Sequence, residues 1–253
     1  MRRIVLIAIV AAVGVAAIGG IALAKNFEGT PLNDTITGTS RPDGMWGEAG
    51  DDQLTGLDGN DYMEGGGGGD RIDAGLGADL AIGGSGNDHI QLGEGNDVSY
   101  AGPGADEVVG EAGDDVLLGQ PGGDRLYGGP DNDRLYTGGG GMDYADGGAG
   151  NDQIFASGGN AQLVGGIGND IIKAQGGTFT VDAGAGKDDV HTGAGGDHVV
   201  GGTGRDTIDT GAGNDTIDVD DGQRDVARCG AGFDTVVADM HDVLKDCDKV
   251  TRH

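Results

Sequence analysis

The chain has 253 residues, of which 58 are glycine and only 4% are aromatic, so its length alone does not promise an ordinary apolar core. Forty-three acidic residues against 15 basic ones give a formal net charge of −28. That balance excludes nucleic acid or an anionic membrane surface as the main partner and calls for cations instead.

Residues 1–24 stand apart from everything after them. Arg2-Arg3 is followed by a nearly unbroken apolar run from Ile4 to Ile18, and Ala22-Leu23-Ala24 precedes Lys25. A charged start, an apolar stretch and a small-residue step describe a secretory signal peptide, with the mature chain beginning at Lys25 and secreted to the extracellular space or the cell surface. The competing reading is an uncleaved anchor, since Ile4–Ala24 is long enough to cross a bilayer. The Ala-x-Ala step, which an anchor does not need, favours cleavage. No second hydrophobic stretch follows, so no membrane insertion of the mature chain is expected. Loss of Arg2 and Arg3 takes the formal charge to −30.

After a lead-in over residues 25–33, aspartate recurs every nine residues at Asp34, Asp43, Asp52, Asp61, Asp70, Asp79, Asp88, Asp97, Asp106, Asp115, Asp124 and Asp133. One extra residue shifts the frame, and the series resumes at Asp143, Asp152, Asp170, Asp188, Asp197, Asp206 and Asp215. Ala161 and Phe179 fill the two missing slots. A second one-residue shift gives Asp225 and Asp234. Two residues before the slot, 19 of 23 positions are glycine; two residues after it, 22 of 23 are apolar, Ser99 being the exception. Units such as Gly83-Gly84-Ser85-Gly86-Asn87-Asp88-His89-Ile90-Gln91 therefore read G-G-x-G-x-D-x-U-x. Each unit supplies a six-residue turn, in which Gly, and Asn at Asn60, Asn87, Asn96, Asn151, Asn169 and Asn214, tolerate left-handed backbone, and a three-residue strand.

Over residues 34–238 this pattern resembles the RTX, or haemolysin-type, calcium-binding repeat family. The resemblance implies an all-β fold, a parallel β-roll (a right-handed β-solenoid) with two nonapeptides per 18-residue coil. It also implies that the matching aspartates ligate Ca²⁺ together with turn carbonyls. Chemistry agrees independently. Stacked carboxylates about 4.8 Å apart raise one another's proton affinity unless a cation lies between them. Calcium accepts six to eight oxygens in adaptable geometry, whereas zinc wants the Cys or His that the repeat lacks. On the order of fifteen Ca²⁺ would cancel a charge of −30.

Residues 239–253 leave the repeat and are expected to cap the solenoid's end, with Asp239, Asp242, Asp246 and Asp248 among Met240, Val243, Leu244 and Val250. Cys229 and Cys247 are 18 residues apart, one coil, so stacking should bring them within disulfide reach. Beside the repeats only residues 25–33 and 239–253 remain, too few for a catalytic domain, and no enzyme is expected. His89, His191 and His198 lie in or beside strands and are read as surface residues. The expected role is a secreted calcium-binding protein whose partners are the ions themselves; the alternative is an adhesin or surface-layer component using the loaded roll as a rigid spacer.

Overall fold

The computed structural model describes residues 25–253, so the expected leader over 1–24 lies outside the described residues. The described residues form 27 strands, all but two of them short, joined by tight turns and without a helix. Strands pair in parallel with the strand one coil further on: Met45 with Met63, Leu54 with Ile72, Ile72 with Ile90. Each offset is 18 residues, so two nonapeptides close one coil and about thirteen coils stack into the expected β-solenoid.

The strand triplet explains the packing. Successive side chains alternate faces, so the apolar residue two after each slot points inward and its two neighbours point outward. The inward residues Met45, Leu54, Met63, Ile72, Ile90, Leu117 and Leu126 are fully buried in one continuous core running the length of the roll. Ser99 is buried as well, and its hydroxyl has no hydrogen-bond partner.

The turns divide the labour among their glycines. Residues four and two before the slot take left-handed backbone, as at Gly75 (φ 102°) and Gly77 (φ 144°) before Asp79. Where glycine is missing the bend persists at Leu57 (φ 80°), Glu111 (φ 73°) and Asp131 (φ 79°).

The six asparagines assigned to left-handed backbone do something else, because none of them has a positive φ. They sit one before the slot, and the side-chain oxygen accepts the backbone N–H one coil on: Ala78 N to Asn60 at 3.2 Å, Ala105 N to Asn87 at 2.9 Å, Asn169 N to Asn151 at 2.9 Å. Asn132, Asn151 and Asn169 form a further ladder, each Nδ2 donating to the Oδ1 below it at 3.0 and 2.8 Å. A turn N–H with no strand partner finds its acceptor there.

Both one-residue insertions bulge without skipping a half-coil. Gly122 pairs with Gly140 at an offset of 18, but Arg125 pairs with Tyr144 at 19, so the extra residue lies between 140 and 144, where Met142 is 77% exposed. Val200 still pairs with Asp218, but Thr207 pairs with Val226, which places the second bulge around Asp220–Gly222. Odd-numbered and even-numbered slots therefore keep to opposite sides along the whole roll.

Both ends depart from the repeat. Lys25–Glu28, in the lead-in, is itself a strand paired with Asp43–Trp46. At the other end the last coil shortens, with Val226 pairing Val243 and Thr235 pairing Lys249. Cys229 and Cys247 are joined by the expected disulfide, Cα–Cα 5.2 Å. The Arg252 guanidinium donates to the carbonyl oxygens of Asp239 and Asp242 and ties the last strand down.

Candidate metal centre

The slot aspartates fall into two files, one on each side. The odd file holds Asp34, Asp52, Asp70, Asp88, Asp106, Asp124 and Asp143, then Ala161 and Phe179, then Asp197, Asp215 and Asp234. The even file holds Asp43, Asp61, Asp79, Asp97, Asp115, Asp133, Asp152, Asp170, Asp188, Asp206 and Asp225. From Asp52 and Asp61 onwards each Oδ1 accepts the backbone N–H of the slot residue one coil earlier, as from Asp97 to Asp115 at 2.8 Å and from Asp115 to Asp133 at 2.8 Å. In the even file this chain of bonds is continuous from Asp43 and ends on Asp242, which accepts from Asp225 at 2.9 Å. In the odd file it breaks where Ala161 and Phe179 offer no carboxylate, resumes with Phe179 N to Asp197, and ends on Asp248, which accepts from Asp234 at 3.0 Å.

The second carboxylate oxygen is the unusual one. In 19 of the 21 slot aspartates one oxygen is buried without any hydrogen-bond partner, and those side chains are at most 3% exposed. A buried, unpaired carboxylate oxygen is costly and calls for a positive ligand. The surroundings supply further oxygens. A β-carbon built on Gly147 would lie 2.5 Å from Asp152 Oδ2 and 2.7 Å from the Gly165 carbonyl oxygen, so a carboxylate and the next coil's carbonyl converge on the space that glycine leaves open. Gly47, Gly110 and Gly128 repeat the arrangement. The position five before the slot is not always glycine; Ala74, Ala101 and Ala183 occupy it, fully buried. The two slots without an orphan oxygen are Asp34 and Asp143. Asp34 Oδ2 accepts from the amide and hydroxyl of Thr30, and Asp43 Oδ2 accepts likewise from Thr39, so threonine donors engage the first aspartate of each file.

Proton affinity reflects the same burial. Loss of solvation pushes Asp61, Asp79, Asp88, Asp124, Asp133, Asp188 and Asp225 up to about 7. Asp115 rises to about 8, mainly from burial, with the charges of Asp97 and Asp133 adding to it against the stabilising N–H of Asp97.

Among the described residues no three His, Cys, Asp or Glu side chains gather as a metal cluster. An ion here would take few carboxylates and several backbone carbonyls, a donor set of oxygens alone. That suits a hard cation of Ca²⁺ type and does not suit zinc. Phe179 is 1% exposed and fills the odd side where two carboxylates are lacking, and the strands Gln153–Ile167 and Ile171–Gly186 run through that turn as a continuous hydrogen-bonded pair. The histidines are elsewhere, His89 beside Glu107 at 3.3 Å and His191 beside Asp189 at 3.1 Å.

Sequence reasoning missed Asp242 and Asp248 as the ends of the two files. They lie 17 and 14 residues after the last slots, off the nine-residue frame, and only their acidic character was visible. Thr30 and Thr39, each four residues before its aspartate, were missed too.

A family model described as the RTX calcium-binding nonapeptide repeat (4 copies) matches residues 28–63, 64–99, 100–135, 137–172, 157–190, 180–199 and 191–226. No curated protein matches. Among solved structures, a hyperactive, Ca²⁺-dependent, β-helical antifreeze protein from an Antarctic bacterium is similar at 18% identity, over 88% of this chain and 81% of that one, with a TM-score of 0.31.

Proposed function

Because the chain belongs to the RTX calcium-binding nonapeptide repeat family, we propose that it is an exported calcium-binding roll that folds as it takes up several Ca²⁺ ions. The buried slot aspartates of both files, from Asp52 to Asp234 and from Asp61 to Asp225, supply the carboxylate ligands, and turn carbonyls supply the rest. Bound Ca²⁺ supplies the positive charge that lets a column of carboxylates ionise inside the fold. The protein's own part is to hold Oδ1 by the N–H of the preceding coil and so aim Oδ2 at the turn. Asp34 and Asp43 serve as file ends. Residues 34–238 are the calcium-binding roll, 25–33 its opening strand and turn, and 239–253 its cap.

The single observation that carries this reading is the set of 19 buried, unpartnered carboxylate oxygens in stacked register. Among the described residues no side-chain nucleophile with a base beside it accompanies them, and the reading is of a binding protein without catalysis. Export is supported by the leader pattern of residues 1–24 and by the Cys229–Cys247 bond, since disulfides persist in oxidising compartments. The extracellular space also supplies millimolar calcium, the range in which extracellular modules bind.

Anomalous scattering from calcium-grown crystals tests the ligand assignment. The expected map shows an unbroken file of ions along the even side and a file interrupted between Asp143 and Asp197 on the odd side. Full occupancy beside Ala161 and Phe179, or no ions beside Asp115 and Asp133, would contradict it.

A further inference from the structure

The even file has a head unlike its body. From Asp61 onwards each carboxylate is held through Oδ1 by the backbone N–H of the slot residue one coil earlier, and its buried Oδ2 is left without a partner. Asp43, the first member, is reversed. Its Oδ2 accepts from both the amide and the hydroxyl of Thr39 at 2.7 Å, and it is Oδ1 that is buried and unpartnered, in a residue 0% exposed. The odd file has no such orphan at its head, because Asp34 is only partly buried and its Oδ2 is served by Thr30.

The residue that stands where the donor should be is Lys25. Strand Lys25–Glu28 runs parallel to Asp43–Trp46 at the 18-residue offset of the roll, and Lys25 is the partner of Asp43 in that register. It therefore occupies the slot position one coil before Asp43. Its side chain is engaged elsewhere, with Nζ lying over the Phe27 ring, 4.2 Å from the centroid. Its peptide N–H does not serve either, since among the described residues no donor reaches Asp43 Oδ1. A peptide nitrogen offers one proton, in a direction fixed by the chain on both sides of it.

Lys25 is also the residue at which the leader pattern places the start of the mature chain. Hydrolysis of the Ala24–Lys25 peptide bond consumes one water and leaves a carboxylate on Ala24 and an α-ammonium on Lys25. We propose that this α-ammonium is the missing partner: removal of the leader creates an ion pair between the new N-terminus and Asp43 Oδ1, which closes the even file and locks the first coil. An ammonium carries three N–H donors on a bond that rotates, so it needs no alignment by a preceding residue. It also brings the positive charge that a buried carboxylate oxygen calls for, in a charge-assisted bond stronger than the amide bonds further along the file. With Thr39 on one oxygen and the N-terminus on the other, Asp43 ends the file without a metal ion. Asp242, which accepts from Asp225, ends it at the opposite pole.

The pair rests on the reading of an exported chain cleaved after Ala24, and the test keeps the two apart. N-terminal sequencing of the exported protein comes first, and a start other than Lys25 overturns both. Residue-resolved hydrogen exchange of the calcium-loaded mature protein is then compared with that of the same chain carrying one added glycine before Lys25. The addition alters no side chain and moves the charged terminus about 3.8 Å along the chain. The Gly29 N–H, which donates to the Trp46 carbonyl across the first coil, should exchange about tenfold or more faster in the extended chain. The Leu80 N–H, bonded to Asp61 further along, should be unchanged. In Asp43→Asn, which keeps the side chain's shape and removes its charge, the added glycine should alter Gly29 exchange by less than about twofold. Equal Gly29 exchange in the two chains with Asp43 intact would overturn the ion pair while leaving the export reading standing. A glycine effect undiminished in Asp43→Asn would do the same.

Discussion

At the scale of single residues, the molecule turns on what each slot aspartate does with its two oxygens. One accepts an N–H and is satisfied; the other is buried and is not, except at Asp34, which Thr30 reaches, and at Asp143. Asp133→Asn keeps an acceptor for the Asp115 N–H but loses the charge, and it should raise the calcium concentration at half-folding several-fold and lower the number of ions bound. Asp34→Asn, at a position already served by Thr30, should change both by little. Calorimetry with ion counting separates the two variants. A pH dependence follows from the raised carboxyls. In the folded, metal-free chain Asp61, Asp79, Asp115 and Asp133 titrate near 7 to 8, against about 4 when unfolded. The fold then holds more protons than the unfolded chain between those values, so the metal-free roll is most stable in acid and loses stability as pH rises from about 4 to about 8. Calcium must displace those protons. Its binding to a roll that acid keeps folded and protonated should release protons, measurable in buffers of different ionisation enthalpy, whereas binding that starts from the unfolded chain near neutral pH, whose carboxyls are already ionised, should release few. Buffer-independent heats in acid would contradict this. The slot and its inward neighbour were legible in the sequence because a nine-residue period exposes them. The role of Asn151 was not, because a residue tolerated at positive φ and a residue wanted as an acceptor look alike until the coil above is in place.

At the scale of the coil, stacking decides whether an irregularity matters. The insertions near Gly141 and Gly222 bulge outward because the 18-residue pairing on either side is held by strand hydrogen bonds and by the inward core, so the sides never exchange. That is why Ala161 and Phe179 could be placed on one side, as neighbours, from slot order alone. What slot order could not show is that the ion-poor turn becomes continuous strand, Gly159 pairing with Gly177 and Ala161 with Phe179. Coil contacts there rest on backbone and apolar packing, and Phe179→Ala should loosen this segment even at saturating calcium. Hydrogen exchange resolved by residue should show faster exchange around residues 157–180 in that variant, and unchanged exchange would refute the role given to Phe179. The disulfide was also readable, since its 18-residue separation is close to one coil even where the coil shortens to 17. The cap was not, because its coils shorten and its aspartates leave the frame. Closing the loop between Cys229 and Cys247 is worth about 3 kcal/mol. Replacing both cysteines with serine should fray the last coil first, seen as early proteolysis after residue 225, with the N-terminal coils still protected.

At the scale of the whole molecule, charge and core pull in opposite directions. The core is two facing files of side chains, continuous but thin, and beside it run two columns of buried carboxylates in a chain of formal charge −28. Without cations the carboxylates must either take up protons or repel, so the balance that holds the roll together depends on the ions. The fold class could be read from the repeat because every unit repeats the same local choice, turn glycines, slot aspartate, inward apolar residue, and the choices agree across some twenty copies. The second apolar cluster could not, because it lies in the x positions, which the repeat leaves free and which acquire meaning only once 18-residue stacking sets Tyr62, Leu80, Val98 and Val116 in one column. The measurement that bears most directly on the account is far-ultraviolet circular dichroism of the protein titrated with calcium from excess chelator at pH 7.5, with Trp46 fluorescence as a local reporter. The account predicts a largely unstructured chain in chelator that gains β-signal cooperatively as calcium rises towards millimolar. A full β-spectrum in excess chelator, unchanged by calcium, would contradict it.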